Sequence, residues 1–452
     1  MSRGSLAAAV VTCPLLFASV TLAQRGPQPH EIEYSDRLLL VKWSDPEQER
    51  RARQLPPEYL SELGGRVVWH SEVVQGMAIV EVTPGMSELA ETLLPIADEF
   101  DFAVRDQIEP ARPSIIPNDP KYPQQWSHSR VCMPQAWDVV RHASPSRLIA
   151  VIDSGVRYTL PELTSNIAYN TNEQGNDEDN SGVIGDYWGA SFDQSFVNDN
   201  CANPPNDPWD RCGHGTWMAS IIGAVTDNET GISGTIWSGK ILPVQIYGQL
   251  IATSWAVKGL EYAYKGRGAR LMNLSFIISA SPALEAFFQQ TPDCLYVVAA
   301  GNDCVNLDQP IPGDCTPLYA PYPAKYSLEH FIVVSSSDQD DKPEGDGCVA
   351  CQPFNSGTNY GKQVVDVFAP GLNDWYIGLD GDATNLGGGS SNATAMVTGL
   401  AALVWTFNPT FTVAEVKAKI LSTTDPIPAF ANKCVSGGII NAARALDETT
   451  CH

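Results

Sequence analysis

The chain has few basic residues. Its 452 residues include 28 Lys and Arg against 52 Asp and Glu, so the formal net charge is −24. A surface of this sign repels nucleic acids and anionic membranes, and neither is expected as a partner. Beyond the N-terminus the sequence also lacks a long apolar run, which argues against a membrane anchor. It has no internal repeat, which excludes a solenoid.

The one long apolar stretch lies at the N-terminus. Residues 6–20 are mostly apolar, follow Arg3, and precede small residues at Thr21 and Ala23. Pro14 within the stretch argues against a membrane-spanning helix, whereas the whole pattern is typical of a secretion signal. We therefore expect residues 1–23 to be a signal peptide and the protein to be secreted to the extracellular space.

Ten cysteines follow the predicted signal, an even number that suggests five disulfides in a secreted chain. Cys201 with Cys212, and Cys304 with Cys315, would each close a short loop. The Cys-Val-Ala-Cys sequence at 348–351 has the spacing of a redox or zinc motif. No second cysteine pair or histidine pair at zinc-finger spacing accompanies it, so a structural disulfide is favoured there.

One stretch has no basic residue at all. Residues 166–210 contain nine Asp or Glu and no Lys or Arg. Asp177 and Asp179 alternate like the opening of a calcium loop, but Trp188 stands where an EF-hand requires Glu, so this is not a complete EF-hand. Two interpretations stay open: a structural Ca²⁺ ligated by these residues and Asp186, or a solvated acidic loop.

The character of the chain changes near residue 112. Residues 37–109 carry most of the charge pairs and no cysteine, and their pattern of short strands and helices predicts a small α+β domain. Within it we expect strands at 37–43 and in 65–83, and helices at 56–64 and 87–100. A proline-rich segment at 109–126 then reads as a linker.

The remainder, residues 113–452, alternates short apolar runs with helical patterns. Continuous apolar strands separated by helices predict an α/β fold, a parallel central sheet flanked by helices on both faces. In such sheets active sites form at the carboxyl ends of the strands. The five apolar runs that predict strands are 147–155, 240–248, 269–277, 294–302 and 330–338.

Three polar residues stand at such ends. Asp153 closes the first apolar run, His214 lies between glycines before a helical pattern, and Ser391 opens a helix after a glycine run. Each has a structural explanation, because Asp153 can accept turn amides while His214 and either Ser390 or Ser391 can cap helices. Together, an Asp, a His and a Ser are the parts of an orienter, a base and a nucleophile.

The sequences around these residues resemble those of the subtilisin-like serine proteases, or subtilases. The similar motifs are "AVIDSGVRYTLPEL", "GHGTWMASIIG", "VVAAGND", "YGKQVVDVFAPG", "GSSNATAMVTGLAALV" and "GIINAARAL", in the order found in the family and within residues 117–447. The order Asp, His, Ser along the chain is that of subtilisin. The resemblance implies a secreted serine endopeptidase that acts on proteins and peptides, as a monomer, through Asp153, His214 and Ser391.

The resemblance also implies roles for other residues. Asn302 would donate to the oxyanion, and Asp119, Glu162 and Asp227 match positions of a subtilase calcium site. Residues 24–112 would be a propeptide that assists folding, inhibits the protease and is removed by it. The substrate would lie between two segments: Ser275, Phe276 and Ile277 on one side, and Ala299, Ala300 and Gly301 on the other.

Three positions depart from the family pattern, and one of them is Trp217, which stands where the family usually has His after His-Gly-Thr. Ile277 stands where the family typically has Gly, and its branched side chain would narrow the first specificity pocket. Ala395 replaces the usual Pro after the serine and removes no catalytic group.

Two other function classes fit the sequence less well. An α/β-hydrolase esterase requires Gly-x-Ser-x-Gly and the order Ser, Asp, His, and this chain has neither. A catalytically inactive homologue that serves as a binding protein would normally lose one of the three residues, and all three are present.

Overall fold

We analysed a computed structural model of the chain. It describes residues 33–54, 58–71, 77–84, 100–108, 115–171, 180–193, 206–310, 321–348, 357–385 and 387–447, together with residues 75, 87, 177 and 350. The predicted signal peptide and most of the predicted helix at 87–100 lie outside the described residues. The chain divides into two compact units, Met1–Pro113 and Ser114–His452.

The first unit contains a four-stranded antiparallel sheet with strand order β2-β3-β1-β4. Its core is formed by apolar side chains such as Leu39, Val41, Trp43 and Val80, which alternate with more exposed neighbours along the strands. The elements are β1 (Glu33–Trp43), α1 (Pro46–Ala52), α2 (Glu58–Glu62), β2 (Arg66–His70), β3 (Met77–Glu81) and β4 (Phe100–Ile108).

The second unit is built on a nine-stranded sheet with strand order β14-β15-β11-β10-β9-β8-β5-β7-β6. Neighbouring strands are parallel except β14 and β15, which are antiparallel. The strands are β5 (Ile149–Asp153), β6 (Ala190–Ser191), β7 (Ile241–Gln245), β8 (Leu271–Leu274), β9 (Leu295–Ala299), β10 (Phe331–Ser337), β11 (Val367–Pro370), β14 (Asp425–Pro426) and β15 (Gly438–Ile439); β12 (Tyr376–Ile377) and β13 (Ala383–Thr384) form a separate hairpin.

Helices cover both faces of this sheet, so two apolar cores form, one on each face. The five apolar runs of the sequence correspond to β5, β7, β8, β9 and β10, and the predicted α/β fold is confirmed. The helices are α3 (Trp126–Arg130), α4 (Met133–Val139), α5 (His214–Gly223), α6 (Thr253–Glu261), α7 (Pro282–Gln289), α8 (Ser390–Phe407), α9 (Val413–Ser422) and α10 (Ala442–Ala445).

The cysteines depart from the expected pattern. Cys304 is bonded to Cys348, 44 residues away, and not to Cys315 as its sequence spacing suggested. Cys294 and Cys434 are free and fully buried, so the expectation of five disulfides was wrong. Both lie in the apolar core on one face of the sheet, where a thiol packs as a small apolar side chain.

Among the described residues, no helix has both the length and the apolar character required to cross a membrane.

Candidate active site

Asp153 is the last residue of β5, and its side chain is completely buried. Its Oδ1 accepts a hydrogen bond of 2.7 Å from the backbone N–H of Ser154. Nδ1 of His214 lies 2.8 Å from the same oxygen. Because a carboxylate only accepts hydrogen bonds, this contact assigns the imidazole proton to Nδ1 and leaves Nε2 as the basic nitrogen.

His214 is the first residue of α5, and 29% of its side chain is exposed. The helix begins close to the turn after β5, since a Cβ on Gly215 would lie 2.0 Å from the carbonyl oxygen of Gly155. Burial lowers the pKa of His214, but the charge and hydrogen bond of Asp153 and the charge of Asp210 outweigh it and raise the pKa above its ordinary value.

Asp210 holds the turn before His214, and sequence reasoning missed it. Its buried carboxylate accepts hydrogen bonds from the backbone N–H groups of Cys212, Gly213 and Thr216 and from the hydroxyls of Thr216 and Ser154. One buried carboxylate therefore ties the start of α5 to the residue after Asp153. An Asp four residues before His214, in a glycine-containing turn, was the only signal in the sequence.

Ser391 is the second residue of α8 and is half-buried. Its hydroxyl donates to the carbonyl oxygen of Ser275 at 3.3 Å, and the hydroxyl of Ser275 donates to the carbonyl oxygen of Ser391 at 3.1 Å. The residue at the N-cap of α8 is Gly389, and no side-chain hydrogen bond caps the helix. The helix-cap interpretation of Ser390 and Ser391 is therefore wrong.

Ser390 and Asn302 join the start of α8 to the end of β9. The hydroxyl of Ser390 accepts from the N–H of Gly301 at 3.0 Å, and Oδ1 of Asn302 accepts from the N–H of Ser390 at 2.8 Å. Gly389 has φ of +145°, and a Cβ there would lie 2.8 Å from Nδ2 of Asn302. A side chain at Gly389 would thus displace the Asn302 amide, which explains the glycine immediately before the two serines.

The two segments expected to hold substrate lie on either side of this helix start. Ser275, Phe276 and Ile277 follow β8, and Ile277 is 38% exposed. Ala299, Ala300 and Gly301 are buried at the end of β9. Besides the Ser390 hydroxyl, which accepts from Gly301, the side chain of Asn359 holds this backbone, because its Nδ2 donates to the carbonyl oxygen of Ala300 at 2.7 Å.

The first candidate calcium set comes together in space, but its carboxylates already have protein donors. Asp119 accepts from the N–H groups of Asp227 and Asn228, and Asp227 accepts from the N–H of Asn118. Glu162 accepts from the side chains of Asn228 and Thr230. Glu162 also accepts from the N–H of Ile232 at 3.4 Å, but its other two donors, the Asn228 amide and the Thr230 hydroxyl, are side-chain groups that can rotate to present oxygen.

The second candidate set is less suited to a cation. Asp186 is fully buried and paired with Arg267 at 3.3 Å, although its own segment of the sequence contains no basic residue. Asp177 accepts from the N–H of Gly182 at 3.1 Å, and Asp179 lies outside the described residues. Within the described residues, no group of three or more His, Cys, Asp and Glu side chains is arranged to hold a metal ion.

Comparisons with known proteins agree with this architecture. Residues 146–442 match the model of the Subtilase family. Thermitase of Thermoactinomyces vulgaris is 30% identical over 337 residues, which are 73% of this chain and 99% of thermitase. Subtilisin-like protease 1 of Plasmodium berghei is 26% identical over 346 residues, 73% of this chain but 54% of that protein. Among solved structures, a protease of Pseudoalteromonas arctica PAMC 21717 superposes with a TM-score of 0.52 at 25% identity, over 73% of this chain and 98% of that one.

Proposed function

Because the chain belongs to the subtilase family, we propose that it is a serine endopeptidase that hydrolyses peptide bonds of proteins through an acyl-enzyme on Ser391. The observation that carries the proposal is the 2.8 Å contact between the buried carboxylate of Asp153 and Nδ1 of His214, at the carboxyl edge of the parallel sheet. It fixes the imidazole tautomer that a general base requires.

In the proposed reaction, Nε2 of His214 takes the proton of Ser391 while Oγ forms a bond to the carbonyl carbon of the substrate. The Ser391 hydroxyl, which donates to the carbonyl oxygen of Ser275, must turn toward Nε2 for this step. His214 then gives the proton to the leaving amine as the C–N bond breaks. A water molecule then attacks the acyl-enzyme with the same proton transfers through His214 and releases the carboxylic acid product. Asp153 stabilises the imidazolium in both halves.

The oxyanion would form next to the start of α8. Nδ2 of Asn302 and the backbone N–H of Ser391 are the two proposed donors, and the positive end of the helix dipole adds to them. Oδ1 of Asn302 accepts a hydrogen bond from the N–H of Ser390. This hydrogen bond orients the side-chain amide, with Nδ2 directed away from that N–H. Ile277, exposed beside this position, would restrict the first specificity pocket.

The proposal extends to the rest of the chain. Residues 1–23 would direct secretion, residues 24–112 would be a propeptide that inhibits the enzyme, and residues 113–452 would be the mature protease. Relatives such as the extracellular protease of Xanthomonas campestris are consistent with secretion. Calcium would act as a structural ion at Glu162, with oxygen atoms of Asn228 and Thr230, because hard oxygen ligands suit this cation.

Expression of the Ser391→Ala variant tests both parts of the proposal. We expect it to be secreted at the full length minus the signal and to lack peptidase activity, while the wild-type chain is found shortened near residue 112. Intact-mass spectrometry and a peptide-hydrolysis assay are the measurements. Wild-type turnover by the variant would contradict the role of Ser391, and a shortened variant from a protease-deficient host would contradict self-cleavage.

A further inference from the structure

Tyr247 lies next to the proposed catalytic pair, on the strand that neighbours Asp153. Strands β5 and β7 are parallel, with Asp153 opposite Gln245, and the N–H of Ile246 donates to the carbonyl oxygen of Asp153 at 2.9 Å. Tyr247 follows directly. Its hydroxyl is 2.8 Å from Oδ1 of Asp153 and 3.1 Å from Nδ1 of His214. The register of two strands therefore delivers a phenol to the carboxylate that orients the base.

The carboxylate of Asp153 is bonded asymmetrically. Oδ1 accepts from the N–H of Ser154, from Nδ1 of His214 and from the hydroxyl of Tyr247. Oδ2 is buried, and among the described residues it has no hydrogen-bond partner. The three donors thus meet at one oxygen. A buried carboxylate depends strongly on each donor, because water does not replace a lost one.

We propose that Tyr247 is a positioning residue of this enzyme. Its hydroxyl donates to Oδ1 of Asp153 and fixes the plane of the carboxylate. Because the same oxygen also accepts from His214, the phenol takes up part of its negative charge and so limits the basicity of His214. The proposal rests on the proposed function, since it assigns His214 the role of base. Tyr247 makes no bond to substrate and exchanges no proton in the reaction.

The chemistry of the phenol agrees with a donor role. Burial, followed by the charges of Asp153 and Asp210, raises the pKa of Tyr247 well above its ordinary value. The hydroxyl therefore keeps its proton at every pH at which His214 titrates. A carboxylate that accepts three hydrogen bonds is a weaker partner for an imidazolium than one that accepts two. Removal of the phenol oxygen should consequently raise the pKa of His214.

A structural role for the ring is the alternative explanation. The ring packs against the apolar core on one face of the sheet, and Tyr247 forms a bridge with Ile251. The variant Tyr247→Phe keeps the ring and removes only the oxygen, so it separates the two roles. Tyr264→Phe is a matched control, because the hydroxyl of Tyr264 donates to a carboxylate oxygen of Asp293 at 2.6 Å.

The experiment is an NMR titration of His214 in the Ser391→Ala background, which prevents autolysis and makes the result independent of peptidase activity. The His214 signal among the seven histidines is assigned with His214→Gln. We expect Tyr247→Phe to move the titration midpoint to higher pH and to shift the downfield Nδ1 proton resonance, and Tyr264→Phe to change neither.

Kinetics of the same substitutions with Ser391 restored give a second readout. We expect kcat of Tyr247→Phe to fall about tenfold with KM unchanged, since a hydrogen bond to a charged group contributes at least this factor. An unchanged or lowered His214 midpoint, an equal shift in Tyr264→Phe, or a change in KM alone would overturn the proposal. A wild-type chain without peptidase activity would instead refute the proposed function and leave the titration result standing.

Discussion

At the scale of single residues, the adjacent serines have different tasks. Ser390 is buried and its hydroxyl accepts from Gly301, whereas Ser391 is half-buried and its hydroxyl donates to the carbonyl oxygen of Ser275. The Asn302 side chain also holds the helix start, because its Oδ1 accepts from the N–H of Ser390, the residue before Ser391. The proposed nucleophile is thereby held on a helix start, while its own hydroxyl makes a long hydrogen bond of 3.3 Å.

Asn302→Asp tests the proposed oxyanion donor. The substitution keeps the acceptor for the N–H of Ser390 and replaces the Nδ2 donor with a negatively charged oxygen. We expect kcat to fall by at least about 10²–10³, the usual effect of losing one such donor, with the fold intact. Initial rates on a peptide substrate and a circular dichroism spectrum are the measurements. A decrease in kcat of less than tenfold would remove Asn302 from the mechanism.

The residues were predictable to different degrees. Asp153, His214 and Ser391 stood out because glycines and strand ends mark them in the sequence. Asp210 and Tyr247 did not, because their contacts depend on how separate turns meet in space. The pairing of Asp186 with Arg267 was likewise invisible, since the two are 81 residues apart.

At the scale of elements, the residues of the candidate site follow neighbouring strands at the carboxyl edge of the sheet. β5 ends in Asp153, β7 leads to Tyr247, β8 to Ser275 and β9 to Asn302. These strands were predictable because burial on both faces makes them continuously apolar. Helix α1 (Pro46–Ala52) and strand β4 (Phe100–Ile108) were not predicted, because α1 is mostly charged and β4 mixes charged with apolar residues.

The disulfide between Cys304 and Cys348 constrains the segment that follows Asn302. It closes a loop with a sequence separation of 44 residues, and loops of this size typically contribute about 2–4 kcal/mol through the entropy of the unfolded chain. We expect the double variant Cys304→Ser, Cys348→Ser in the Ser391→Ala background to lose that much free energy of unfolding in urea. With reductant present, the difference from the parent protein should vanish. A difference that persists under reducing conditions would assign the effect to packing instead.

At the scale of the whole molecule, acidic residues exceed basic ones, so a bound Ca²⁺ is expected to stabilise the folded state. If Glu162 binds the ion only in the folded state, calcium at one hundred times its dissociation constant stabilises the fold by about 2.7 kcal/mol. We expect EGTA to lower the melting midpoint of the Ser391→Ala protein and excess calcium to restore it, with initial peptidase rates of the folded wild type nearly unchanged.

Glu162→Gln and the control Glu229→Gln, an exposed neighbour of Thr230, locate this effect. The calcium response should disappear in Glu162→Gln and persist in Glu229→Gln. An unchanged midpoint in EGTA would remove calcium from the account, and a response that survives Glu162→Gln would place the ion elsewhere, for example in the acidic segment around Asp177.

Activation of Ser391 by His214 can be measured by covalent labelling with a fluorophosphonate followed by peptide mapping. Only an activated serine reacts at a useful rate. We expect one label, on the peptide that contains Ser391, in the wild type and in Ser390→Ala, and none in Ser391→Ala or His214→Ala. A label on Ser390, a label that survives the loss of His214, or no label on the folded wild-type protein would contradict the activation of Ser391 by His214.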